Sequence, residues 1–183
     1  MTQLTNLFEV RCKDGIVQLD LELDLYSCCF APHEPSSTTE LASPVWRDPP
    51  PLSAPIGPRD VFYFVLAYVS ALARFPGRTV STLGREEGPR SLRRGATVPV
   101  HVLARRFERL SLYLPVRPAC LLASYALRRY LRLQGEDADW VIAVQLFPFR
   151  AHCWLAVDEA LLAERAHLIE DYEPIVCFAR CLA

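Results

Sequence analysis

Three residues in the second half of the chain are of the types, and in the order, that nucleophilic attack on an acyl group requires: Cys120, His152 and Glu164. Cys120 follows Pro118 and Ala119 at the start of a predicted helix. Unpaired backbone N–H groups and the positive end of the helix dipole stabilise a thiolate there, and the Cys120 N–H is a candidate oxyanion donor. His152 falls 32 residues later on a predicted strand and reaches Cys120 if that strand packs against the helix N-terminus. Strand alternation sends Cys153 to the opposite face, which favours a small buried hydrophobe over a second nucleophile. Folding the chain back at an Asp158-Glu159 turn puts Glu164 at or next to the position facing His152. A carboxylate there holds the imidazole tautomer and stabilises the imidazolium. Asp158 is the competing acid, but it lies in the turn itself. Gln145 is a candidate for the second oxyanion donor.

The elements that must position these groups are legible in outline. Residues 7–25 read as a β-hairpin about Asp14-Gly15, with Cys12 opposite Val17, Val10 opposite Leu19 and Phe8 opposite Leu21 on one apolar face. Glu9 opposite Asp20 is a mild objection. From Pro32 to Pro58 a Pro-, Ser- and Thr-rich stretch reads as a linker or surface loop. A helix follows from about Asp60, its N-cap, to Pro76-Gly77, and is expected to be buried. Arg85 to Gly95 reads as a loop. A second helix follows Pro99, with Val100, Leu103, Phe107, Leu110 and Leu114 on one side, and a third runs from about Ala119 to Gln134, closed by Gly135. Strands are predicted at Trp140–Leu146, Ala151–Val157, Ala160–Ala166 and Tyr172–Phe178. Helices followed by an antiparallel sheet define an α+β fold. The expected organisation is an N-terminal hairpin and Pro-rich linker over 1–57 and a catalytic domain over 58–183.

Composition narrows the classes further. About half of the 183 residues are apolar and 22% are charged, as in a globular chain. The formal net charge is −1, but residues 85–132 are basic and both ends acidic. The Arg-rich middle falls on polar sides of predicted helices and reads as a solvated face, not a nucleic-acid site. Seven cysteines form no CxxC pair, and no signal peptide precedes them. A cytoplasmic protein with reduced thiols is expected, without structural disulfides or zinc. The longest apolar stretch, 61–73, is too short to span a membrane.

The segment from Cys120 to Glu164 resembles the protease (B) proteins of lasso-peptide biosynthesis. The shared elements occur in order: Cys120-Leu121 with Ser124 and Leu127, the helix-ending Gly135, Trp140-Val141, Pro148-Phe149, Ala151-His152 with Trp154, and Glu164. The closing strand at 172–178 matches as well, and the similarity covers about 103–178. Two positions depart from the family pattern: Glu164 stands where Asp is usual, and Ala119 where the residue is often polar. The N-terminal strands are similar to the start of a leader-recognition domain, whose expected helices are replaced by the Pro-rich stretch.

This resemblance implies a papain/transglutaminase-like cysteine peptidase core. Its activity would be removal of the leader from a ribosomally made precursor peptide, with Cys120 as nucleophile, His152 as base and Glu164 as orienting acid. It implies an asparagine-synthetase-like lasso cyclase as partner, and a separate leader-binding protein is a further candidate. No P-loop or dinucleotide fingerprint occurs, so no cofactor is expected and ATP would be used by the cyclase. The alternatives are a related thiol acyltransferase or amidase, and a catalytically silent scaffold binding leader and cyclase.

Overall fold

The computed structural model describes residues 7–12, 15–29, 44–86, 98–146 and 148–180. Helices pack on antiparallel strands, which is the α+β class expected. Three strands, β1 (Leu7–Cys12), β2 (Gly15–Asp20) and β3 (Leu25–Cys29), form an N-terminal sheet. Helices α1 (Pro58–Arg74), α2 (Val80–Glu86), α3 (Val100–Ser111) and α4 (Cys120–Leu133) follow. The second sheet, of order β6-β5-β4-β7, contains β4 (Asp139–Gln145), β5 (Arg150–Val157), β6 (Ala160–Leu162) and β7 (Glu173–Phe178).

The hairpin register differs from the expectation by two residues. Val10 pairs with Val17, Phe8 with Leu19 and Cys12 with Gly15, while residues 13 and 14 lie outside the described residues. The slip removes the repulsion between Glu9 and Asp20: Gln18 now faces Glu9 and donates from Nε2 to its Oε2 at 2.8 Å. A third strand, β3, was not foreseen. It follows a turn in which the Asp20 carboxylate accepts the N–H groups of Glu22 and Leu23.

One face of the second sheet carries the core. Trp140 and Leu155 pack under α1, α3 and α4 with Phe64, Phe107, Tyr125, Tyr130 and Leu131. Farther along the same sheet, Ile142, Val144, Cys153 and Val176 pack against Val17, Leu19 and Leu21 of the N-terminal sheet. The N-terminal strands therefore share a core with the strand that carries His152. The opposite face buries Val141, Ala143, Trp154 and Ala156 against Trp46, Ala166 and Tyr172.

Residues 44–57, expected as part of a linker, form a strap instead. Arg47 bonds through its backbone to Glu159 and Leu161 at 2.9 Å each, Trp46 meets Trp154 edge-on, and Asp48 Oδ1 accepts the Ala166 N–H at 2.8 Å. Residues 32–43 of that stretch lie outside the described residues. The N-cap of α1 is Gly57 rather than Asp60; Asp60, three positions on, reaches back and accepts the Gly57 N–H at 2.8 Å. The helix buries Phe64, Ala67, Tyr68 and Ala71, but it is not buried all round. Val61, Phe62, Val65, Leu66, Val69 and Leu72 stand exposed along its outer side.

The arginines of the middle segment are tethers more than a solvated face. Arg106 pairs with buried Asp60, Arg109 donates to the Ala54 carbonyl, and Arg128, 1% exposed, shares the buried Asp137 carboxylate with Arg132. The segment expected as a loop from Arg85 begins inside α2, whose Gly84 lets the Phe178 ring approach its backbone; residues 87–97 lie outside the described residues. No helix among the described residues is long and apolar enough to cross a membrane.

Candidate active site

Cys120 is the first residue of α4, following the extended Ala119 and preceding a run of strong helix formers. Ala119 has no capping group, so the N–H groups of the first turn have no side-chain acceptor at the cap. The Leu121 N–H is directed at the Cys120 sulfur. His152 is the third residue of β5, and β6 pairs only with Leu155–Val157, so the strand has no β6 neighbour at His152. The ring is partly buried and lies beside Tyr172 and Trp154, with centroids 5.5 and 6.0 Å away.

Glu164 reaches His152 because the ladder ends early. The Asp158-Glu159 turn has φ of 50° and 64°, as a tight hairpin needs, and β6 stops at Leu162. Ala163 then adopts φ 58°, which turns the chain out of register. Glu164 Oε2 comes to rest 2.9 Å from His152 Nε2, and its Oε1 accepts the Arg165 N–H at 3.1 Å. With Nε2 engaged, Nδ1 is the nitrogen left for Cys120. Asp158, the competing acid, is held by Arg180 instead.

The electrostatics follow from these contacts. Cys120 falls from the ordinary thiol value to about 4: Cys153 and His152 hydrogen-bond its sulfur, the His152 charge and the Leu121 N–H add to them, and burial opposes them. His152 rises to about 9 through its hydrogen bonds to Cys120 and Glu164, against burial. Burial pushes Glu164 up, but the His152 and Arg165 contacts outweigh it and the carboxyl sits below its usual range. Between these limits the pair is a thiolate and an imidazolium.

Two residues outside the predicted set, Cys153 and Tyr26, share the apolar cluster on which Cys120 packs. Cys153 is buried as expected, yet its thiol lies within hydrogen-bonding reach of Cys120, and Cys120 and burial push it well above the ordinary thiol range. Alternation along β5 therefore does not remove Cys153 from the nucleophile's surroundings. Its sulfur is 3.3 Å from Ser124 Oγ, which accepts the Trp140 Nε1–H at 2.9 Å. Ser124 sits four residues after Cys120, one helical turn along the same face, a spacing that could have signalled the contact. Tyr26, on β3, is the second. It packs edge-on to Phe149 at 5.4 Å, and burial, the Asp24 carboxylate and the sulfurs of Cys153 and Cys120 raise its hydroxyl to about 12. No local pattern announces that residues so far apart in the chain pack on one apolar cluster.

A cavity of about 480 Å³ lies between the strap at 48–52, α3 and the segment flanking Glu164. Neither Cys120 nor His152 lines it. Gln145 ends β4 opposite Arg150. Among the described residues, no group of three or more His, Cys, Asp or Glu could hold a metal ion.

A family model of the transglutaminase-like superfamily matches residues 63–177, which contain Cys120, His152 and Glu164. The chain belongs to the transglutaminase-like superfamily. The match starts within α1 and ends in β7, so β1–β3 lie outside it, although they complete the core of this transglutaminase-like domain and bring Tyr26 to the apolar cluster on which Cys120 packs. No curated protein and no solved structure gives a significant match.

Proposed function

We propose that the protein is a cysteine endopeptidase that removes the leader from a ribosomally made lasso-peptide precursor. The observation that carries the catalytic part is the contact chain of Cys120, His152 and Glu164 at the start of α4. The likeness of residues 103–178 to lasso-peptide B proteins carries the substrate. In this reading the Cys120 thiolate attacks the carbonyl of the last leader residue. His152 gives its proton to the leaving amine, and the amide bond becomes a thioester. Water, deprotonated by His152, then releases the leader. Glu164 keeps the ring oriented and stabilises its charged form. The Cys120 N–H is the oxyanion donor proposed for both tetrahedral intermediates.

The chemistry needs no cofactor, and ATP would be consumed by an asparagine-synthetase-like cyclase that takes the released core peptide. The exposed stripe of α1 supports such a partnership, since a contiguous apolar helix face is the kind of surface that enters a partner's groove. A separate leader-binding protein and a cytoplasmic location complete the proposal. Superfamily membership also suits a thiol acyltransferase or an amidase, which would form a thioester in the same way and pass the acyl group to an amine or to water respectively.

Incubation with a synthetic precursor, followed by mass spectrometry, tests the proposal. A free leader and core are expected from the wild type and neither from Cys120→Ala. Transfer of the acyl group to an added amine without hydrolysis would favour the acyltransferase. Full core-peptide production by Cys120→Ala would favour the scaffold.

A further inference from the structure

The working thiol has a second thiol against it, and the proposed peptidase mechanism has no step for that thiol. Cys153 follows His152 directly, is 5% exposed, and lies among Ile142, Val144 and the apolar side of the N-terminal sheet. Its sulfur is 3.3 Å from Ser124 Oγ, itself held by Trp140 Nε1; Ser124 lies one helical turn after Cys120, and Cys120 packs against the same apolar cluster as Cys153. The Cys153 thiol is thus fixed by a buried polar chain beneath a half-buried thiolate that faces partly to solvent.

We propose that Cys120 and Cys153 form a redox pair: a peroxide oxidises Cys120, and Cys153 captures the product as a reversible intramolecular disulfide. In the first step the Cys120 thiolate attacks a peroxide oxygen. The O–O bond breaks, a Cys120 sulfenic acid forms, and the departing hydroxide is protonated to water. In the second step the Cys153 sulfur attacks the sulfenic sulfur, the S–O bond breaks, and the Cys153 proton leaves with the hydroxide as a second water. Two electrons pass from the two sulfurs to the peroxide.

Cys153 is held in the thiol form first by its contact with the Cys120 thiolate and next by burial. Oxidation turns that anion into a neutral sulfenic acid, so the main restraint on Cys153 disappears at the step where Cys153 must act. Without Cys153, the sulfenic acid would remain open to a second peroxide and to irreversible sulfinic acid. A transient disulfide of this kind is compatible with a reducing compartment, where catalytic and sensing disulfides occur.

The test uses the reduced full chain and hydrogen peroxide with no substrate, with the intact mass read before alkylation and the peptide map after it. The wild type is expected to become about 2 Da lighter, with a Cys120–Cys153 cross-link in the peptide map and full recovery of both thiols in dithiothreitol. Cys153→Ala and Cys153→Ser are each expected to gain roughly 32 Da at Cys120, unrecoverable by dithiothreitol. Accumulation of sulfinic acid at Cys120 in the wild type, or a cross-link to exposed Cys28, Cys29 or Cys177 instead, would overturn the proposal. The wild-type map decides the matter even if a Cys153 variant does not fold. The readout is independent of leader cleavage, so it separates from the peptidase reading.

Discussion

Replacing His152 with Gln removes the imidazolium while leaving the start of α4 intact, and should move the titration of Cys120 by a definable amount. The thiolate is held near 4 by Cys153, by His152 and by the Leu121 N–H. A hydrogen bond to a charged group contributes about 1.5–3 kcal/mol, and one pKa unit corresponds to about 1.4 kcal/mol, so loss of His152 should raise the midpoint by roughly one to two units. The sign is upward because a cation and donor that favoured the charged form are gone. Iodoacetamide alkylation of Cys120, followed over pH by peptide mass spectrometry, measures this directly. Peptide resolution is needed because exposed Cys28, Cys29 and Cys177 also react. A wild-type midpoint near the ordinary thiol value of about 8.5, or a variant midpoint equal to that of the wild type, would refute the reasoning.

Three further outcomes follow from the same contacts. Activity on a cleavable peptide should be bell-shaped between about 4, where Cys120 gains its proton, and about 9, where His152 loses its own; Glu164→Gln should lower kcat and draw the upper limb to lower pH, because the carboxylate that favours imidazolium is gone. Gly84→Ala would set a Cβ against the Phe178 ring and should cost about 1–3 kcal/mol in urea unfolding, with Phe178→Leu relieving part of it. Asp137→Asn should destabilise by about 3–5 kcal/mol in the same assay, since buried Arg128 loses its carboxylate, as does the partly buried Arg132.

The parts of the fold that were readable are those set by neighbours in sequence. Pro99 and Pro118 precede helix starts, Gly135 takes φ 90° after α4, and Asp158-Glu159 makes the turn that brings β6 back along β5. That turn is also why the Glu164 contact could be expected before any coordinates. What periodicity leaves open is register: a slip of two residues keeps every side chain on its face, so Val10 can oppose Val17 or Leu19 with the same apolar pattern. Contacts across the chain have no local signature at all. Trp46 on Trp154, Tyr26 on Phe149 and Arg106 on Asp60 depend on how the elements dock. Alternation ranked Cys153 correctly as buried, but it says nothing of a helix end laid over that point of the strand.

Ala119 shows what the start of α4 leaves undone. A Ser or Asp at this N-cap would contribute about 1 kcal/mol to the helix by accepting a first-turn N–H. An Asp would add a negative charge beside a sulfur that must itself be negative, and either side chain would draw on the first-turn N–H groups, among them the Leu121 N–H directed at that sulfur. A screen for heat resistance would therefore select Ala119→Asp, and a screen for turnover would discard it. The same residue is a weak cap by one criterion and the right neighbour by the other.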